Sequence, residues 1–156
     1  MRRKDREITS QKKINEIIQA CHCCRLGFCD NGKIYIVPLN FGFEYTDEKR
    51  IFYFHGAKEG RKIDLIKRNG YAGFELDTHY QLHTADTACQ HSAAYQSIIG
   101  EGRIFLIKDP VQKEKALQLI MHHQTHTGDW AISEKMLKTV SVFKLEVTEL
   151  SCKEHE

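Results

Sequence analysis

Between the β-rich stretches RLGFC and KIYIVPLNFGF stands the dipeptide Asn31-Gly32. A two-residue hairpin needs positive φ at both central positions, and Asn-Gly adopts it at low cost. The arms, residues 25–29 and 33–43, are rich in aromatic and β-branched side chains and read as paired antiparallel strands. Pro38 has no N–H to give to a ladder, so its strand lies at a sheet edge or is bulged there.

Other elements follow in order. SQKKINEIIQAC places Ile14, Ile17, Ile18 and Cys21 on one helical face, with Thr9 or Ser10 as cap. IFYFH alternates as a strand, and EGRKIDLIKRNG reads as a short helix stopped by Asn69-Gly70. YAGFEL is another strand. Residues 77–93, DTHYQLHTADTACQHSA, show no period and read as a long loop carrying His79, His83 and His91. AYQSIIGEGRIFLI is a long strand that Gly100 and Gly102 allow to bend sharply. Asp109-Pro110 opens a helix as N-cap and first residue, with Ala116, Leu117, Ile120 and Met121 on its apolar face. A helical piece around residues 133–137 precedes a closing strand, TVSVFKLEVTEL. About six strands and two or three helices result. An open sheet of that size leaves long edges, so closure into a small barrel is expected.

With 156 residues the chain suits a single domain, 1–156, with its core between about residues 14 and 147. The 23 basic and 21 acidic residues are interleaved, which provides no basic face for nucleic acid. No apolar run approaches the ~20 residues of a membrane helix. The N-terminal MRRKDREITSQKK is basic with no apolar segment behind it, which reads against a signal peptide and for a cytoplasmic protein. Four of six cysteines fall in CHCCRLGFC, but no second pair follows downstream, so the pattern for structural zinc is incomplete and no metal is expected. These cysteines read as small buried side chains in a reducing compartment.

The stretch FHGAKEGRK joins the IFYF strand to the next helix. If Gly56 to Gly60 form the turn, free N–H groups and the helix dipole favour an anion there. Arg61 and Lys62 add full charges in the first helical turn. The alternative is a solvated helix start. The glycine spacing is not that of a P-loop, and no G-x-G-x-x-G opens a helix in a βαβ unit.

YIVPLNFGFEY, IFYFHGAKEGRKIDLIKRN, FELD, YQSIIGEGRIFLIKD and ALQLIMHH together resemble the 5-nitroimidazole-resistance (Nim-type) proteins, which belong to the pyridoxamine-5′-phosphate-oxidase-like, flavin-binding split barrels. The similarity runs from about Ile14 to Val147. It implies a mainly β, six-stranded antiparallel split barrel with a few helices, forming a homodimer with flavin at the subunit interface. By the same resemblance Val37, Pro38, Leu39 and Asn40 would line the flavin ring. His55, Gly56 and Ala57 would end the next strand, Gly60, Arg61 and Lys62 would hold the phosphate, and Gln96, Ser97 and Ile98 would complete the site. The cofactor implied is FMN, with FAD as the variant.

The function implied is electron transfer from reduced flavin to a small acceptor such as a nitroaromatic compound. His55 is the candidate catalytic group, contacting substrate or donating a proton; a strand-end hydrogen bond to backbone is its other reading. Two alternatives stand. One is a haem-binding split barrel using a loop histidine as iron ligand, with His122, His123 and His126 as further surface histidines. The other is a flavin-binding protein without enzymatic turnover.

Overall fold

The structure, a computed structural model, describes residues 3–156. The strands are β1 (Glu7–Ile8), β2 (Cys24–Asp30), β3 (Lys33–Leu39), β4 (Gly42–Thr46), β5 (Lys49–Gly56), β6 (Tyr71–His83), β7 (Ser92–Ile107) and β8 (Ser141–His155). The helices are α1 (Gln11–Ala20), α2 (Arg61–Asn69), α3 (Pro110–Thr125) and α4 (Glu134–Thr139). One antiparallel sheet runs β3-β2-β6-β7-β8-β5-β4, and β1 pairs with β8. Its end strands β3 and β4 show no pairing with each other among the described residues, so the sheet is an open, split barrel.

Local signals explain most of these elements. Asn31 and Gly32 both have positive φ and turn β2 into β3. Ser10 caps α1 and Asp109 caps α3 through their side chains, and Pro110 opens α3. Gly70 ends α2 in the left-handed region. β3 is an edge strand, which is where a strand tolerates Pro38.

Three expectations are corrected. The stretch 33–43 breaks at Asn40–Phe41 into β3 and β4, and with β1 this raises six strands to eight. The four α-helices exceed the two or three expected. Residues 77–93 are mostly hairpin, not loop: β6 continues to His83 and pairs with the start of β7. A register shift between Thr78 and Gln81, with His79 at φ 55°, hides the alternation that would have marked this strand.

The main core gathers Ile14, Ile17 and Ile18 of α1, Ile63, Leu65 and Ile66 of α2, and inward residues of the sheet from Leu26 to Cys152. A second cluster, with Tyr53, Ile107 and Val142, seats α3 through Ala116 and Ile120. β7 and β8 pair along almost their whole length, bulging between Glu101 and Gly102. A Cβ on Gly102 would lie 2.2 Å from the Glu146 carbonyl oxygen, so only glycine lets the two strands approach there. Among the described residues, no helix is long and apolar enough to cross a membrane.

Candidate functional site

The turn from β5 to α2 is built by two glycines with different duties. Gly60, the N-cap of α2, sits at φ 120° and ψ 168°, a conformation L side chains rarely adopt. It leaves the first turn of a nine-residue helix without a side-chain cap, so N–H groups there remain available to an anion. Gly56 closes β5 opposite Ser141, and a Cβ on it would lie 2.8 Å from Lys62 Nζ. The missing side chain is the space the ammonium occupies.

Lys62 is half-buried, with Nζ 5.8 Å from the centre of the Phe143 ring. No carboxylate or hydrogen-bond acceptor partners it among the described residues, and burial holds its pKa below the ordinary lysine value. Such a cation is costly unless a ligand anion completes it. Arg61, the other expected phosphate ligand, is engaged elsewhere. Its Nε donates to Asp30 Oδ2 at 2.9 Å, and its guanidinium lies 4.5 Å from the centre of the Tyr35 ring. Arg68 Nη2 also donates to Asp30, at 2.5 Å. These two arginines, Arg68 foremost, hold the Asp30 carboxyl below its usual pKa.

Of the other expected residues, His55 is exposed on β5 opposite Val142, and its ring makes no hydrogen bond among the described residues. Ala57 follows it, exposed, in the turn. Val37 and Leu39 are half-buried against the core from β3, while Pro38 and Asn40 are exposed. Asn40 Nδ2 donates to Gln124 Oε1 at 2.7 Å and so ties the break after β3 to α3.

Gln96, Ser97 and Ile98 lie far along β7. Gln96 donates to Glu154, Ser97 faces Lys153 across the ladder, and Ile98 is fully buried in the core. Within one chain these residues and the Gly56–Lys62 turn are at opposite ends of β8. Ser141 pairs with Gly56 and Lys153 with Ser97, which is about 40 Å of strand at ~3.3 Å per residue. The sequence thus brings together the β5–α2 turn but not the two halves of the expected site.

The histidines of the α3 end are not all surface residues. His123 is buried, 4.3 Å centre to centre from the Phe41 ring, and its Nε2 donates to the Cys21 carbonyl at 2.8 Å. The expectation of a surface His123 fails because α3 packs this face onto the C-terminus of α1. Asp30, which occupies Arg61, was also missed; it closes the strand before Asn31-Gly32 and looks like an ordinary turn residue. Of the clustered cysteines, Cys21 and Cys24 are buried, Cys23 is half-buried and Cys29 is exposed.

An antiparallel split barrel whose sheet turns through a glycine-rich loop into an uncapped helix start is a recognisable class of protein. The chain belongs to the pyridoxamine 5′-phosphate oxidase family, whose model matches residues 10–154. Among solved structures, it is similar to a candidate 5-nitroimidazole antibiotic resistance protein from Bacteroides thetaiotaomicron. That likeness has 30% identity and a TM-score of 0.81, covering 95% of this chain and 86% of the other. The flavocytochrome Anf3 of Azotobacter vinelandii shares the fold at 20% identity and TM-score 0.81, covering 100% of this chain and 72% of the other. So does an FAD-binding protein from Mesorhizobium loti, at 19% identity and TM-score 0.67, covering 97% and 98%. No curated protein matches the chain.

Proposed function

We propose that this protein binds a flavin and passes electrons to a small acceptor, with nitroaromatic compounds as the leading substrate class. The observation that carries the reading is the half-buried Lys62 ammonium against Gly56, without a partner among the described residues, at the uncapped start of α2. Its geometry fits a phosphate monoester or diester. The similarity to the Bacteroides protein supports the nitroimidazole assignment.

A bound flavin would supply the redox chemistry. The chain's part is to hold and orient it. Lys62 and the first N–H groups of α2 hold the phosphate, and Val37 and Leu39 offer apolar contact from β3. The exposed His55 imidazole would be the group that gives a proton to a reduced acceptor. Because the Gln96–Ile98 stretch is remote within one chain, its part in the site requires a homodimer in which it comes from the partner subunit. Six unpaired cysteines suit a reducing, cytoplasmic setting.

A haem reading has one specific observation in its favour. His79, His83 and His155 line a cavity of about 370 Å³, and the buried Nδ1 of His155 has no hydrogen-bond partner among the described residues. His91 does not line it. The visible spectrum of the purified protein, with mass spectrometry of the heat-released cofactor, separates the readings. Flavin bands are expected, and a Soret band would move the site to these histidines.

Lys62→Ala should weaken flavin binding about tenfold to a hundredfold, the loss of a charge-assisted contact. Unchanged affinity in a titration would remove the phosphate assignment. Sustained turnover with a nicotinamide donor and a nitroaromatic acceptor would separate an enzyme from a flavin store.

A further inference from the structure

Arg61 and Lys62 are the first two residues of α2. Helical side chains lean toward the N-terminus of their own helix, so two cations placed there would ordinarily share an anion bound at its start. Lys62 lies against Gly56 with no partner among the described residues. Arg61 is turned to the β2–β3 hairpin instead. Its Nε donates to Asp30 at the end of β2, and its guanidinium stacks on the ring of Tyr35 in β3.

Asp30 is the fixed point of this arrangement. It gives one carboxylate oxygen to each of two arginines near opposite ends of α2, Oδ2 to Arg61 at 2.9 Å and Oδ1 to Arg68 at 2.5 Å. Its side chain is 19% exposed, against 51% and 50% for the arginines. Docking of α2 has other supports: Ile63, Leu65 and Ile66 sit in the core, and Asn69 Nδ2 donates to the Cys29 carbonyl at 2.7 Å. What Asp30 controls is where Arg61 points. A guanidinium grips phosphate best with two parallel N–H groups, and with Nε held by Asp30 that edge is lost to a ligand.

We propose that Asp30 is a positioning residue that withholds Arg61 from the phosphate seat, so that Lys62 alone brings a full charge to it. This rests on the flavin reading above and specifies what limits the strength of its phosphate contact. A seat with one cation in place of two holds phosphate more weakly. Differences of this kind fall mainly in the dissociation rate, so the bound flavin exchanges faster than the composition of the turn suggests.

The test titrates the cofactor-stripped full chain with FMN and with riboflavin, the same ring system without a phosphate. Asp30→Asn keeps the shape and removes the charge. It should bind FMN about tenfold tighter than wild type while riboflavin affinity stays within about twofold. Adding Arg61→Ala should bring FMN affinity back to within about twofold of wild type. Adding Arg68→Ala instead, which changes net charge equally, should leave the gain in place. Arg61→Ala alone, which leaves the hairpin and the Asp30–Arg68 pair intact, should cost less than about twofold in FMN affinity. No gain in Asp30→Asn, a gain shared by riboflavin or kept without Arg61, or a tenfold loss in Arg61→Ala overturns the assignment and leaves flavin binding standing. If wild type binds FMN no tighter than riboflavin, or binds neither, the flavin-phosphate reading itself falls and this proposal falls with it.

Discussion

Lys62 and His123 are two bases whose pKa values burial pushes down, and they serve opposite ends. If Lys62 is a cation kept for a ligand, as proposed, its removal should leave the Tm of cofactor-free protein unchanged or raised while binding suffers; a clear drop in Tm would make it a structural residue. His123 is a spacer packed between α3 and the end of α1. A carbonyl only accepts, so its Nε2 carries the hydrogen, and burial beside Phe41 favours the uncharged ring. His22, His122 and His126 add repulsion against its protonation. With a folded pKa below the ordinary 6.5, the unfolded chain takes up the proton first. Stability from this group is therefore complete above about pH 6.5 and is lost as pH falls from there through the lower folded value. Thermal melts between about pH 7.5 and pH 5 should fall more steeply for wild type than for His123→Gln. Parallel curves would mean that the acid sensitivity belongs to other groups.

At the scale of elements, two glycines make opposite predictions from the same construction. In Gly102→Ala the new Cβ meets Glu146 backbone at 2.2 Å, and neither strand of the β7–β8 ribbon can move aside, so about 3 kcal/mol of stability should go, read by denaturant unfolding. In Gly56→Ala the new atom meets only the end of the Lys62 side chain, at 2.8 Å. Stability should change by less than about 1 kcal/mol while flavin affinity drops severalfold; the reverse pattern would separate Gly56 from the site. Legibility in the sequence follows the same division between local and distant causes. The hairpin at Asn31-Gly32, the caps at Ser10, Asp109 and Gly70, and the β5–α2 turn were readable because each is set by residues within one turn of one another. The second half of β6 was not, because one irregularity at His79 destroys the period-two pattern from which strands are recognised. Nor was the cavity lined by Lys58, Lys108, Lys113 and Lys138, whose members are far apart in sequence and meet only in the folded chain.

For the whole molecule, the separation between the Gly56–Lys62 turn and the Gln96–Ile98 stretch makes the homodimer testable by complementation. Lys62→Ala and Ser97→Trp should each impair flavin binding. If each site draws on both subunits, unfolding and refolding an equal mixture should restore about a quarter of wild-type sites, since only mixed dimers contain one undamaged site. No recovery in a mixture shown to exchange subunits would confine the site to one chain. The sheet also imposes an order of assembly. β8 is synthesised after the other seven strands described, yet it is the one on which β7, β5 and β1 all pair, with Glu7 and Ile8 meeting Lys153 and Cys152. Until it emerges, a nascent chain holds α1, the β2–β3 hairpin and the apolar faces of β5 and β7 without the strand that joins them. Such dependence on distant pairing slows folding and prolongs exposure of sticky surface, so this small protein should be an early client of chaperones during translation.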